Sequence, residues 1–146
     1  MQNSLWAVII ITIGTGLTSN IIIVRSYVSS IPKELDEAAT IDGCSFFGIY
    51  WQILMPIMVP ILATVALLSF RTGWNQYVLP LVFTMNNAAL RPLTVGVVSL
   101  MNTGDAAAAW NLMFAGASMS IVPIVVIYIF TSKYFISGLT NGAVKG

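Results

Sequence analysis

Glu37-Ala38-Ala39-Thr40-Ile41-Asp42-Gly43, nine further residues, then Ile53-Leu54-Met55-Pro56: this run occupies a polar island between strongly apolar segments. Of the chain's six basic and five acidic residues, five fall between Lys33 and Asp42. A charged helix wedged between membrane-length segments is costly to keep in lipid. It should therefore lie in water against something, and what it lies against is the key to function.

Outward from the island, the composition is that of a membrane protein. The 146 residues are 58% hydrophobic and 8% charged, with a mean hydropathy of +0.90. A soluble domain carries roughly 25% charged residues, so this chain cannot cover a globular surface facing water. The net charge of +1 argues against a nucleic-acid partner, which needs a clustered basic face. Without histidine, and with Cys44 as the lone cysteine, neither an internal disulfide nor a multi-thiolate metal site can form. Cys44 reads as a small apolar residue beside a turn, and Met55, Met58, Met113 and Met119 read as packing. No catalytic, cofactor or metal-ligating constellation stands out.

Crossing a hydrocarbon core of about 30 Å takes about 20 apolar helical residues. Residues 5–24 are uncharged and form the first span, with Arg25 after them and no basic residue before, which favours a retained helix over a cleaved signal. A second span covers 55–81, interrupted by Arg71-Thr72-Gly73-Trp74-Asn75. A third covers 107–132. Between the last two, residues 84–105 form an external segment, broken at Asn86-Asn87 and Arg91-Pro92, in which Leu93–Met101 is a short helix or re-entrant piece. Asp105 should sit in water near a helix start. With three spans, Arg25, Lys33, Lys133 and Lys145 share one side and Arg91 lies opposite. This puts the island and the C-terminus in the cytoplasm and Met1 outside. An external start ahead of a helix with no upstream partner gives the expectation of a longer polypeptide's tail. Gly14, Thr15, Gly16, Thr18, Ser19 and Asn20 form a small, polar stripe on the first span that suits close packing against another helix.

Within the island, Ser30-Ile31-Pro32 has the form of a helix start, and Glu34, Asp36 and Glu37 complement the positive end of the helix dipole. Leu35, Ala38 and Ala39 share one face, where the two alanines allow close approach. Gly43 suits the left-handed conformation that ends a helix. A second short helix should carry Phe46, Phe47, Tyr50, Trp51 and Leu54 on one side, before Pro56 turns the chain into the membrane. From spacing alone, an amphipathic connector resting on the bilayer remains open beside a docking element. In the second span, Arg71 should avoid lipid. The neighbouring Trp74, Asn75, Gln76 and Tyr77 offer aromatic faces and amides that suit a polyhydroxylated solute, or else an aromatic belt at the outer interface. The tail, residues 133–146, should not be a stable helix because of Gly138, Gly142 and Gly146.

The island resembles the EAA motif of ABC-transporter permeases: E-A-A, three residues, G, nine residues, I-x-L-P. Glu37-Ala38-Ala39, Gly43, Ile53 and Pro56 match at that spacing, and Met55 replaces leucine in a volume-conserving swap. The string from Ile31 to Gly43, Trp74-Asn75 followed by Pro80-Leu81, and the ending Gly138–Gly146 look like the carbohydrate-uptake branch, the maltose-type inner-membrane permeases. The resemblance implies an all-α integral membrane helical bundle of about three transmembrane helices plus a cytoplasmic helix-turn-helix coupling segment at 31–54. Family members usually have six such helices, so this chain matches the C-terminal half.

In that family the motif helix docks in a cleft on an ATP-hydrolysing subunit. The resemblance makes Glu37, Ala38, Ala39, Asp42 and Gly43 coupling residues and places Trp74, Asn75 and Arg71 along the solute pathway. It implies ATP-binding-cassette ATPase partners, a second permease subunit, an extracytoplasmic solute-binding protein, a sugar or oligosaccharide substrate, and a multi-pass location in the bacterial inner membrane. The chain has no G-x-x-x-x-G-K-[ST] pattern, so ATP is expected to be bound and hydrolysed by a partner, not here. A permease for another solute, a membrane scaffold without its own pathway and an ion-driven transporter are the alternatives.

Overall fold

Among the described residues, three helical stretches are long and apolar enough to cross a membrane: Leu5–Val28, Phe46–Trp74 and Trp110–Ser132, of 24, 29 and 23 residues. At 1.5 Å per residue they reach ~36, ~43 and ~34 Å, against a hydrocarbon core of ~30 Å. The computed structural model describes the backbone of residues 4–100 and 106–143 and the side chains of residues 4–100 and 110–132. Its elements are α1 (Leu5–Val28), α2 (Glu34–Ile41), α3 (Phe46–Gly48), a π-turn (Ile49–Leu54), α4 (Met55–Trp74), α5 (Val78–Thr84), a 3₁₀ turn (Ala88–Leu90), α6 (Leu93–Ser99) and α7 (Ala106–Ala143). No strand occurs among the described residues, so the expected all-α membrane architecture is met. Large apolar side chains such as Ile10, Ile22, Phe114 and Phe130 face outward, as suits a chain whose solvent is lipid.

Several boundaries differ from the sequence expectation, each for a local reason. The first helix runs to Val28 instead of ending at 24, because nothing between Val24 and Val28 breaks it and the Arg25 side chain is exposed. The second span ends at Trp74, not 81. A helix continued through 75–80 would press the Pro80 ring against the carbonyl of Gln76, four residues earlier, and leave it without a donor. The chain instead closes α4 with Asn75 N–H to the Arg71 carbonyl (3.1 Å) and Gln76 N–H to the Gly73 carbonyl (3.3 Å), then restarts at Val78. The freed Gln76 carbonyl accepts from Thr94 Oγ1 at 3.1 Å.

The chain does not turn at Pro56 either. From Phe46 to Trp74 it is one helical run, with the π-turn before the proline. The third helix continues past 132 to Ala143. Gly138 and Gly142 weaken a helix by about 1 kcal/mol each, and no proline follows Pro123 to stop it. The short helix expected at Leu93–Met101 is present as Leu93–Ser99. The expectations for Met1, Asp105, Lys145, Gly146 and the Lys133 side chain fall outside the described residues.

The chain forms two compact units, one from Met1–Leu17 and Leu68–Phe130, the other from Thr18–Leu67 and Thr131–Gly146. In the first, Val95 and Thr84 are the most deeply buried side chains, at 1% and 0% exposure. Here α6 meets α7 at Gly116, where an added Cβ would collide with Val97. Trp74 Nε1 donates to the Ser120 carbonyl at 3.0 Å. In the second unit, the Tyr27 hydroxyl donates to the Ile57 carbonyl at 3.0 Å. Both accepting carbonyls lie three residues before a proline inside a helix, Pro123 and Pro60 respectively. A helix proline removes one backbone bond and kinks the axis. In each case an aromatic donor from elsewhere in the same unit bonds the carbonyl next to the one that the proline deprives of its helical donor, Ile57 beside Pro56 and Ser120 beside Met119.

Candidate functional site

The charged island begins where Lys33 caps α2 with helical backbone angles and no side-chain cap bond. Pro32 therefore sits one residue before the cap and not in the first helical turn as its form suggested. The turn still uses it, since Leu35 N–H reaches the Pro32 carbonyl at 3.4 Å and Asp36 N–H the Lys33 carbonyl at 3.0 Å. Glu34, Asp36 and Glu37 occupy the first turn, where the dipole favours negative charge. All three are exposed, as is Asp42 at the C-cap, so four of the five acidic residues lie on this one element. Thr40 Oγ1 folds back to the Asp36 carbonyl at 2.7 Å.

The end of α2 is a complete Schellman closure. Cys44 N–H donates to the Ala39 carbonyl at 3.0 Å and Gly43 N–H to the Thr40 carbonyl at 3.1 Å, with Gly43 at φ +79°. Ser45, in an extended conformation, starts α3 by accepting from Gly48 N–H at 3.2 Å. The face expected to carry both alanines is divided. Ala38 is exposed, whereas Ala39 is only 4% exposed, and α2 packs against the π-turn. Ala39 thus seats the helix on its own chain and leaves Ala38 and Glu37 outward. Phe46, Phe47, Tyr50 and Trp51 are all exposed, with Phe46–Phe47 and Tyr50–Trp51 in edge-on pairs.

The polar break lies in the other unit. Arg71 and Asn75 are exposed, while Trp74 is half-buried. The Trp74 ring stacks on Phe70 with centroids 5.6 Å apart and its N–H is committed to Ser120, so Trp74 can offer a solute only ring surface. Gln76 is the centre of the break: its Oε1 accepts from Thr12 Oγ1 at 3.0 Å and its backbone carbonyl from Thr94. Arg91 donates from Nη2 to the Met85 carbonyl at 3.0 Å, with Nε buried and unpartnered. Thr12, Thr94, Ser120 and Tyr27 escaped sequence reasoning. Their one legible signal was the rule that a hydroxyl or indole N–H in lipid needs an acceptor. Among the described residues, no group of three or more His, Cys, Asp or Glu could hold a metal ion.

These features define an all-helical integral membrane protein with a charged helix and its closing turn inserted ahead of its second span. The chain belongs to the binding-protein-dependent transport system inner membrane component family, whose model matches residues 1–135. It is 37% identical over 147 aligned positions to the probable ABC transporter permease protein YurM of Bacillus subtilis (strain 168), covering 100% of this chain and 48% of that protein. It is 42% identical over 123 positions to the arabinooligosaccharides transport system permease protein AraQ of Halalkalibacterium halodurans, covering 84% and 43%. A third relative is the galactooligosaccharides transport system permease protein GanQ of Bacillus subtilis, 36% identical with coverages of 100% and 51%. The chain spans about half the length of the curated relatives it matches. No solved structure matches it. The family expected from the motif spacing is thus the family found.

Proposed function

We propose that the chain forms part of the transmembrane permease subunit of an ATP-binding-cassette importer for sugars or oligosaccharides, in a bacterial inner membrane. The observation that carries the proposal is α2 itself, an exposed acidic helix closed by Gly43 at the family's motif position. Glu37 and Ala38 form the contact with a separate ATPase subunit, Ala39 and Gly43 hold the helix in place, and Asp42 adds charge at its end. Closure of the partner around ATP displaces α2, and this shifts the membrane helices between inward- and outward-facing states. The oligosaccharide transport named for several relatives supports the substrate class. Asn75 and Arg71 supply exposed polar groups for the pathway, and Trp74 a ring face. A second permease subunit and an external solute-binding protein complete the assembly. The distribution of basic residues puts the island and the C-terminus in the cytoplasm.

The test is a thiol cross-link. With Cys44 replaced by serine, Ala38→Cys should join a co-expressed ATP-binding-cassette subunit, and Ala39→Cys should react far less. An Ala38→Cys chain that inserts normally but forms no cross-linked product refutes the docking role.

A further inference from the structure

The docking helix does not rest on a regular α-helix. Below it the six residues Ile49–Leu54 form a π-turn, in which Met55 N–H reaches back five residues to the Tyr50 carbonyl. This turn joins α4 without a break, and it is the element against which α2 packs. π-Turns carry one residue more than the α register and recur at functional sites. Pro56 explains why this one stands where it does. In an α register its ring would crowd the Gln52 carbonyl, and the wider turn relieves that contact. Pro56 has no N–H to give in either register, so a change of register forfeits no bond at that residue.

We infer that Ile49–Leu54 is a register switch: its conversion between π and α geometry turns α2 relative to α4 while the helix below stays continuous. Moving one residue of register rotates everything upstream by about 100° and shifts it by about 1.5 Å. Ala39, buried on the helix that packs against the turn, has to follow. The turn is the compliant element between the docking helix and the span. This deepens the proposed coupling function and rests on it for its purpose, but the switch itself is a property of this chain alone.

The experiment therefore uses the full chain in phospholipid nanodiscs, with Cys44→Ser and nitroxide labels at Ile41→Cys and Val59→Cys, both exposed positions on either side of the turn. Pro56→Ala restores the missing N–H and removes the ring, so the Ile41–Val59 distance distribution should move by several ångströms toward a single α-register population. Pro60→Ala, which restores an N–H below the turn, should move the distribution by no more than a small fraction of the Pro56→Ala shift. Superposable distributions for Pro56→Ala and the parent overturn the switch. So does a Pro60→Ala shift as large as that of Pro56→Ala, which would mark general helix straightening. If Pro56→Ala fails to insert, Pro56→Ser carries the same N–H and the same expected shift. The Ala38 cross-link reads docking independently: its loss with a Pro56-dependent distance refutes docking alone, and its persistence with an unmoved distance refutes the switch alone.

Discussion

Replacing Gly43 by alanine should loosen the docking helix, although the same exchange at an ordinary site tightens a protein. Where the backbone suits both residues, Gly→Ala stabilises by about 0.4–1 kcal/mol through the unfolded chain. Gly43 has φ +79°, and a Cβ built there meets nothing within 4 Å. Neighbouring atoms therefore contribute no clash, and the whole effect is the left-handed backbone penalty, about 1–2 kcal/mol for a residue with a Cβ. That penalty falls on an eight-residue helix too short to persist without its packing and caps. A cost of 1–2 kcal/mol corresponds to about a 5–30-fold rise in the open population. Amide hydrogen exchange at Asp42, Gly43 and Cys44 reads it directly, because their N–H groups close the turn onto Ala38, Thr40 and Ala39. Gly43→Ala should speed exchange at all three by that factor, and Gly43→Asn, which tolerates this conformation, should recover most of the protection. Unchanged or slower exchange in Gly43→Ala would refute the claim that a left-handed closure holds α2.

Two further outcomes follow from packing and hydrogen bonding. Gly116→Ala should destabilise the contact between α6 and α7 by about 1–3 kcal/mol through overpacking on Val97, and adding Val97→Ala should restore much of the loss, as read by thermal unfolding in detergent. Trp74→Phe keeps the ring on Phe70 but removes the bond to the Ser120 carbonyl. It should cost about 0.6–1 kcal/mol in the same assay, and a loss no smaller in Trp74→Phe than in Trp74→Ala would show that the ring adds nothing.

The spans were legible because uncharged runs of about 20 residues admit few readings, and the island because charge, Gly43 and the motif spacing agree. Its divided face was not. Helical spacing puts Ala38 and Ala39 side by side, and only the fold of the following turn decides which one is covered. Pro56 was read as a corner because a proline can end a helix. A π-turn is the other way to accommodate it, and choosing between the two needs the path of the chain on both sides. The end of the second span at Trp74 was in principle readable from Pro80 acting on Gln76 four residues upstream. Thr12 and Thr94, which make that break tolerable, lie 64 and 18 residues away from Gln76 along the chain, beyond the reach of any local pattern.

Pro60 and Pro123 each deprive a carbonyl of its helical donor, that of Pro56 and that of Met119, and in each case an aromatic hydroxyl or indole N–H from elsewhere in the chain ties down the oxygen one residue further on. Proline and donor are therefore a joint unit of variation: remove Tyr27 alone and the turn around Pro60 loses its tie to α1. Mutagenesis that walks these helices one position at a time will overstate both members, and exchanging them as pairs will show what the bends themselves are worth.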